Sequence, residues 1–168
     1  DFADLMISAP VSYETYGFLN GRSGTSGIDF DELYHHPTSH FNQNDGCRRE
    51  VERRGYSPDQ LERAKAEIDR WHHEMMAYLV DKMNEFDVYQ NSIVLMGNEH
   101  GNQHWIDDTA AVMVGNAGGF LRTNQAIEMR DRGYNTSSIL STVASAMGHP
   151  IRFGRSSMKK PPASEIIA

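Results

Sequence analysis

The sequence predicts an α/β protein with a mostly parallel sheet flanked by helices. Three observations predict this class: a long amphipathic stretch at 57–87, a continuously apolar run at 92–96, and a second apolar run at 110–114 that precedes another helical stretch. Helix, buried strand, loop, buried strand and helix in this order are typical of α/β proteins.

The composition bounds the class of protein. The 168 residues suit one domain with a single core. The formal net charge of −7 argues against nucleic acid and anionic membrane surfaces as main partners. No apolar run approaches the roughly 18 residues that a membrane helix needs. Cys47 is the only cysteine, so an internal disulfide cannot form.

The first residues lack the basic and apolar regions of a secretory signal peptide. We therefore expect the sequence to be a mature, cleaved or partial piece of a longer protein. Within it, Leu5 to Val11 predicts a short strand, at an edge or with a bulge because it contains Pro10.

Two helices are predicted from capping signals and apolar spacing. Ser57 and Gln60 predict a capping box, Pro58 suits the first helical position, and the helix should end near Asp87. Its apolar residues follow at intervals of three or four: Leu61, Ala64, Ile68, Trp71, Met75, Leu79, Met83 and Phe86. The second helix spans 136–147, is capped by Ser137 or a neighbour, and ends at Gly148. Its apolar residues line one side: Ile139, Leu140, Val143, Ala144 and Met147.

The run at 92–96 predicts a strand buried on both faces, as in a parallel sheet covered by helices. Ligands of open parallel sheets bind at the carboxyl ends of the strands. The loop from Asn98 to Asp108 follows that end. The glycine-rich turn at 115–119 lacks the spacing of a phosphate-binding loop, which favours a tight turn.

The loop after this strand contains candidate metal ligands: Glu99, His100 and His104. Carboxylate and imidazole together suit divalent zinc, manganese or iron better than calcium. Glu99 and His100 can face one ion only after the strand has ended, because neighbours on a strand point to opposite faces. The alternative is a polar loop with surface histidines. The residues alone do not decide between this interpretation and a metal site.

A second group of histidines lies at His35, His36 and His40, with Pro37 between them, which predicts a loop rather than a helix face. Metal sites draw ligands from separate loops that meet in space. His72 and His73 fall in the long helix, where a structural role is favoured over a functional one.

The stretch from Ala66 to Gly101 resembles the alkaline-phosphatase-like superfamily, which includes sulfatases and cofactor-independent phosphoglycerate mutases. Those proteins have a long helix, a turn with Asn, a hydrophobic strand and then Asp-His-Gly. Here the order is the 61–86 helix, Asn91, SIVLM and Glu99-His100-Gly101. The resemblance implies that Glu99 and His100 bind one metal. It also implies that His36 and His40 match the Asp-x-x-x-His motif of a second metal, with His36 in the place of Asp.

A closer resemblance is to a family of exported bacterial proteins of unassigned function. It is carried by HHPTSH, WHHEMMAYLVDKM, SIVLM, GNEHGNQH, VMVGNAGGFLRT and AMGHPIRFG. This resemblance implies that residues 1–154 are the C-terminal part of an alkaline-phosphatase-like three-layer sandwich and that 155–168 form an extended tail. It also implies an exported, periplasmic or extracellular location.

The nucleophile of the superfamily and its first metal-binding Asp have no match in this sequence. We therefore predict a non-catalytic binding or structural subunit of an exported or envelope complex, bound to a protein partner or to the remainder of a longer chain. The alternative is a metal-dependent hydrolase of phosphate or sulfate esters, with its nucleophile in a missing N-terminal part. No catalytic residue is assigned. The metal-ligand candidates, with zinc or manganese favoured over calcium, are His36, His40, Glu99, His100 and His104.

Overall fold

The computed structural model describes residues 16–33, 35–42, 44–98 and 109–168. These described residues form four helices and two strands: α1 (His35–His40), α2 (Asp45–Arg53), α3 (Pro58–Glu85), β1 (Val94–Gly97), β2 (Ala111–Val114) and α4 (Thr136–Ala146). Short 3₁₀ turns add Gly17–Leu19, Tyr89–Asn91, Arg130–Arg132 and Ser164–Ile166. The mixture of helix and strand confirms the predicted class in its general sense. The strand predicted at 5–11 lies outside the described residues.

The chain divides within α3 into two compact units, one up to Met75 and the other from Met76 onwards. The first unit contains a buried hydrophobic cluster, with Trp71 packed against it at half burial. Its members are Tyr16, Leu19, Ile28, Phe30, Leu33, Phe41, Val51, Tyr56, Leu61, Ala64 and Ile68. The predicted division at 154/155 stays a prediction.

The start of α3 confirms the predicted capping box. The Gln60 backbone N–H donates to Ser57 Oγ at 3.3 Å, and the Ser57 backbone N–H donates to Gln60 Oε1 at 2.9 Å. These two bonds satisfy amides that have no acceptor within the first turn of the helix. The helix ends at Glu85, close to the predicted end.

The apolar face of α3 is buried only in its first half. Leu61 and Ile68 are 1% and 2% exposed, whereas Leu79 and Phe86 are 44% and 73% exposed. The periodicity correctly predicts one apolar face, but it does not say how far along the helix that face is covered.

The two strands pair antiparallel, with Val94 opposite Val114 and Gly97 opposite Ala111. The prediction of a parallel sheet, as in the three-layer sandwich, is therefore wrong for this pair. The reason lies in the connection at 98–110. A parallel crossover needs a dozen or more residues and usually a helix, whereas this segment is near the lower limit of length and has no helical apolar spacing.

The strands are also less buried than predicted. Leu95 is 37% exposed, and no residue of β1 is buried. A short apolar run does not by itself distinguish a strand covered on both faces from one strand of a half-covered hairpin. This explains why the prediction of burial on both faces is wrong.

Helix α4 buries mainly small polar side chains, together with Ala144 from the predicted apolar side. Its cap is Asn135, whose side chain accepts the Ser138 backbone N–H at 3.3 Å. The buried residues are Ser138, Ser141, Thr142 and Ala144, whereas Leu140 and Met147 are 37% and 48% exposed.

The segment from Phe153 to Ala163 explains this choice of face. Thr142 Oγ1 accepts the Ala163 backbone N–H at 2.8 Å, and Ser141 Oγ accepts that of Phe153 at 3.1 Å. Hydroxyl groups can be buried without penalty when they satisfy backbone groups in this way. The predicted tail is thus ordered by contacts within the chain, and Leu121 forms a bridge with Ile167.

In the part of the chain that the structure describes, no helix combines the length and the apolar character needed to cross a membrane.

Candidate metal centre

Residues 35–40 form the short helix α1, so the prediction of a loop at the first histidine group is wrong. The prediction was based on Pro37. This residue occupies the first turn of α1, where a backbone amide has no acceptor within the helix, so a proline is tolerated there.

Helix α1 is anchored at its inner side and at its C-terminal end. Thr38 and Phe41 are 1% and 6% exposed. Arg48 donates from Nε to the Phe41 carbonyl at 3.3 Å and from a terminal nitrogen to the Asn42 carbonyl at 3.2 Å. These carbonyls follow the last turn of α1, where acceptors lack helical partners. Arg48 therefore fixes the helix that carries His36 and His40.

His36 and His40 lie four residues apart on α1, which places them on one helix face. Their ring centroids are 4.9 Å apart and their planes are inclined by 59°. Both side chains are partly buried. The sequence identified these two residues as ligand candidates, but the helix that brings them together was not predicted.

The separation of the two rings fits a shared metal ion. Zinc binds imidazole nitrogen at about 2.0–2.1 Å, and the ring centre lies about 1 Å beyond that nitrogen. Two imidazoles bound to one tetrahedral ion therefore have centroids about 5 Å apart. The observed 4.9 Å is close to this value. The distance between the rings is therefore compatible with both imidazoles binding one ion.

Two imidazoles select the class of metal. Imidazole suits zinc, copper, iron and nickel, whereas calcium prefers oxygen ligands. Two nitrogens are half of a tetrahedral site, so the ion would need further ligands from water or from other residues. Within residues 16–33, 35–42, 44–98 and 109–168, no group of three imidazole, carboxylate or thiol side chains converges on one point.

The three other predicted ligands, Glu99, His100 and His104, lie outside the described residues. Their part in the site stays a prediction, as does the chemistry of the loop in which they lie.

The histidines of α3 have structural surroundings. The ring of His72 lies 4.8 Å from that of Trp71 and 6.3 Å from that of Tyr16, and burial lowers the pKa of His72. His73 Nδ1 lies 2.8 Å from the Asp69 carbonyl oxygen, within hydrogen-bond distance. These contacts favour the structural role predicted for both residues.

Cys47 lies at the buried start of α2, where burial, followed by the charge of Glu50, raises the pKa of its thiol. A raised pKa keeps the thiol protonated, and the protonated thiol is a poor nucleophile. The surroundings of Cys47 therefore favour a structural role for this residue over a nucleophilic one.

No protein-family model, no curated protein and no solved structure matches the chain. The resemblance to the alkaline-phosphatase-like superfamily accordingly stays a prediction.

Proposed function

We propose that the chain is a divalent-metal-binding, non-catalytic binding or structural subunit of an exported or envelope complex, and that it is related to the alkaline-phosphatase-like proteins. The observation that carries the proposal is the pair His36 and His40, whose rings are 4.9 Å apart on one face of α1. Its partner would be another protein or the remainder of a longer chain.

A structural role for the metal follows from the size of α1. A helix of six residues is too short to be stable by itself, because nucleation is unfavourable and few hydrogen bonds follow it. An ion bound by residues four apart links successive turns of such a helix. Metal-binding free energy then contributes directly to folding free energy. The metal would thus order the surface around α1 for a partner.

The properties of Cys47 argue against this residue as a nucleophile. Cys47 is the only cysteine in the sequence, and it is buried with a raised pKa. The sequence also lacks a match to the nucleophile motif of the superfamily.

Zinc binding to the 168-residue chain tests this proposal by isothermal titration calorimetry. We expect His36→Ala and His40→Ala each to weaken zinc binding by at least about tenfold, since each removes one of two preorganised ligands. His149→Ala is the matched control, because His149 is exposed and distant in sequence from α1. Calcium should bind more weakly than zinc.

Three results would contradict the metal proposal: wild-type affinity in both α1 variants, an equal loss in the His149 control, or calcium binding as tight as zinc binding.

A second candidate function is the hydrolysis of phosphate or sulfate esters, with the nucleophile supplied from outside these residues. The order of elements favours it: α3, the turn at Tyr89–Asn91 and strand β1, which ends at Gly97, two residues before Glu99. In a hydrolase, the metal would polarise the ester and stabilise developing charge.

Turnover of p-nitrophenyl phosphate and p-nitrophenyl sulfate distinguishes the two functions. The hydrolase predicts turnover that a chelator and the change His100→Ala both abolish. The non-catalytic subunit predicts zinc binding without turnover of either ester.

A further inference from the structure

The segment that follows α4, residues 147–160, carries basic and apolar side chains together on the surface. Every residue from 147 to 159 is exposed. The large apolar residues of the segment are between 37% and 54% exposed: Met147, Ile151, Phe153 and Met158. Its arginines and lysines are Arg152, Arg155, Lys159 and Lys160. The 147–160 segment is therefore a surface patch that is both cationic and apolar.

The charge of this segment contrasts with that of the whole chain. The formal net charge of the protein is −7, yet the sequence contains no Asp or Glu between residues 133 and 164. The next carboxylate along the chain, Glu165, pairs with Arg132 at 3.3 Å. No carboxylate in the described part of the chain forms an ion pair with the arginines or lysines of the segment. Charges more than about 8 Å away are largely screened at physiological ionic strength, so the local positive charge decides what the segment attracts.

Two serines of α4 hold the backbone of the segment. Ser137 Oγ donates to the Phe153 carbonyl at 2.6 Å and accepts the Lys160 backbone N–H at 3.3 Å. Ser141 Oγ accepts the Phe153 backbone N–H at 3.1 Å and donates to the Lys160 carbonyl at 3.5 Å. Both ends of the stretch 153–160 are thus fixed on one helix. A partner therefore meets a preformed loop, which lowers the entropy cost of binding.

The exposure of the segment indicates the kind of partner. Because no residue from 147 to 159 is covered, a partner must surround the segment to bury its apolar side chains. The boundary between headgroups and acyl chains of a lipid bilayer does this, and it leaves arginine and lysine at the level of the phosphates. Nucleic acid offers phosphates but no apolar phase for Ile151 or Met158. A folded protein would need a concave surface that matches the loop closely.

We propose that the 147–160 segment binds the surface of an anionic phospholipid membrane. The phosphate headgroups attract its arginines and lysines, and Ile151 and Met158 enter the boundary between headgroups and acyl chains. The net charge of −7 repels the rest of the protein from such a surface, so the contact is local and peripheral. It involves neither α1 nor a metal ion, and it is independent of the function proposed above.

Co-sedimentation with vesicles tests this proposal. The 168-residue chain is mixed, without added metal, with vesicles of phosphatidylglycerol and phosphatidylcholine in equal parts, or with vesicles of phosphatidylcholine alone. We expect binding to the anionic vesicles only, and weaker binding as NaCl increases from about 0.1 M to about 0.5 M, because salt screens the headgroup charge. Soluble glycerol phosphate should not displace the chain, since it supplies the charge without the apolar boundary.

Charge variants locate the contact. The double change Arg152→Gln and Arg155→Gln should weaken vesicle binding at least about tenfold, because each basic residue near an anionic surface strengthens binding about fivefold. The matched control is Arg49→Gln with Arg63→Gln, which removes the same charge from exposed positions on α2 and α3. This control should bind the vesicles as the wild type does.

Apolar variants distinguish insertion from attraction by charge alone. Ile151→Ser should weaken vesicle binding about tenfold, because an isoleucine side chain no longer leaves water. Leu79→Ser, on α3, should not weaken it. The two positions have similar exposure, 54% and 44%, and substitutions at exposed positions change stability little, so both variants are expected to fold.

The proposal is overturned if the chain does not bind the anionic vesicles, if it binds phosphatidylcholine equally well, or if glycerol phosphate displaces it. It is also overturned if the double arginine variant or Ile151→Ser binds as the wild type does. Binding to DNA or to polyglutamate without binding to vesicles would overturn it too, and would assign the segment to nucleic acid or to an acidic protein.

Discussion

Two glycines of the turn after β2 have similar backbone conformations but differ in the space that a side chain would have. Gly115 and Gly119 have φ angles of +94° and +92°. A Cβ at Gly115 would lie 2.3 Å from the Ser92 carbonyl oxygen, whereas one at Gly119 would meet nothing within 4 Å. The sequence predicts a tight turn here, but the close approach of Ser92 comes from strand pairing, which the local sequence does not encode.

Alanine at each of these glycines separates backbone strain from steric overlap. Gly119→Ala should lower the free energy of unfolding by about 1–2 kcal/mol, the penalty of a left-handed conformation for a residue with a Cβ. Gly115→Ala carries the same penalty plus the overlap with Ser92, so its loss should be clearly larger. Urea unfolding measures both. Equal losses would show that Ser92 does not approach Gly115 as described.

His72 is the residue whose titration should be visible in the stability of the protein. Burial is the main cause that lowers its pKa from the ordinary 6.5, and the charges of Lys65 and His73 also lower it. The hydrogen bond to the Ile68 carbonyl and the charge of Asp69 oppose the shift. The folded protein therefore favours the neutral ring more than the unfolded chain does.

The pH dependence follows from this direction. Below pH 6.5 the unfolded chain binds a proton at His72 more readily than the folded protein does, so stability falls as the pH decreases through 6.5 towards the lowered pKa. His72→Gln should flatten the decline in unfolding free energy between about pH 7 and pH 5. His73→Gln is the neighbouring control. An unchanged decline in His72→Gln would contradict the account.

At the scale of elements, prediction succeeds where local signals suffice. The capping box of Ser57 and Gln60 and the apolar spacing of α3 are local, and both are confirmed. Which face of α4 is buried, and how β1 and β2 pair, depend on segments distant in the chain. The sequence of one element does not contain that information. This explains why the prediction of parallel pairing is wrong and why the buried polar residues of α4 are not predicted.

The two halves of α3 provide a matched pair of leucines. Leu61→Ala should lower the free energy of unfolding by about 2–5 kcal/mol, because it opens a cavity in the buried cluster. Leu79→Ala, at a position 44% exposed, should lower it by less than about 1 kcal/mol. Denaturant unfolding with an unchanged m-value checks both. A similar loss in the two variants would show that the second half of the helix face is covered.

At the scale of the whole molecule, the two units differ in what stabilises them. The first has a large apolar cluster, and Arg22 bridges its loop at 20–27 to the carboxylates of Glu67 and Glu74 on α3, each at 2.6 Å. The second relies on hydroxyl groups of α4 that bind the backbone at 153–163. Hydrophobic spacing alone predicts the first arrangement far better than the second.

The candidate site shows the same division between local and distant information. His36 and His40 could be identified from their spacing of four, but the helix that brings their rings together is stabilised by Thr38, Phe41 and Arg48. The contribution of Glu99, His100 and His104 depends on contacts between distant segments. For these residues the sequence supports the hypothesis of metal binding, but it does not predict their positions relative to the ion.

Anomalous diffraction from crystals of the 168-residue chain grown with zinc tests the central claim most directly. We predict one zinc peak about 2.0–2.1 Å from a ring nitrogen of both His36 and His40. The remaining ligands at the same peak would show whether Glu99, His100 or His104 completes the site. Crystals without a zinc peak between the two histidines of α1, or with zinc bound only elsewhere, would contradict the account.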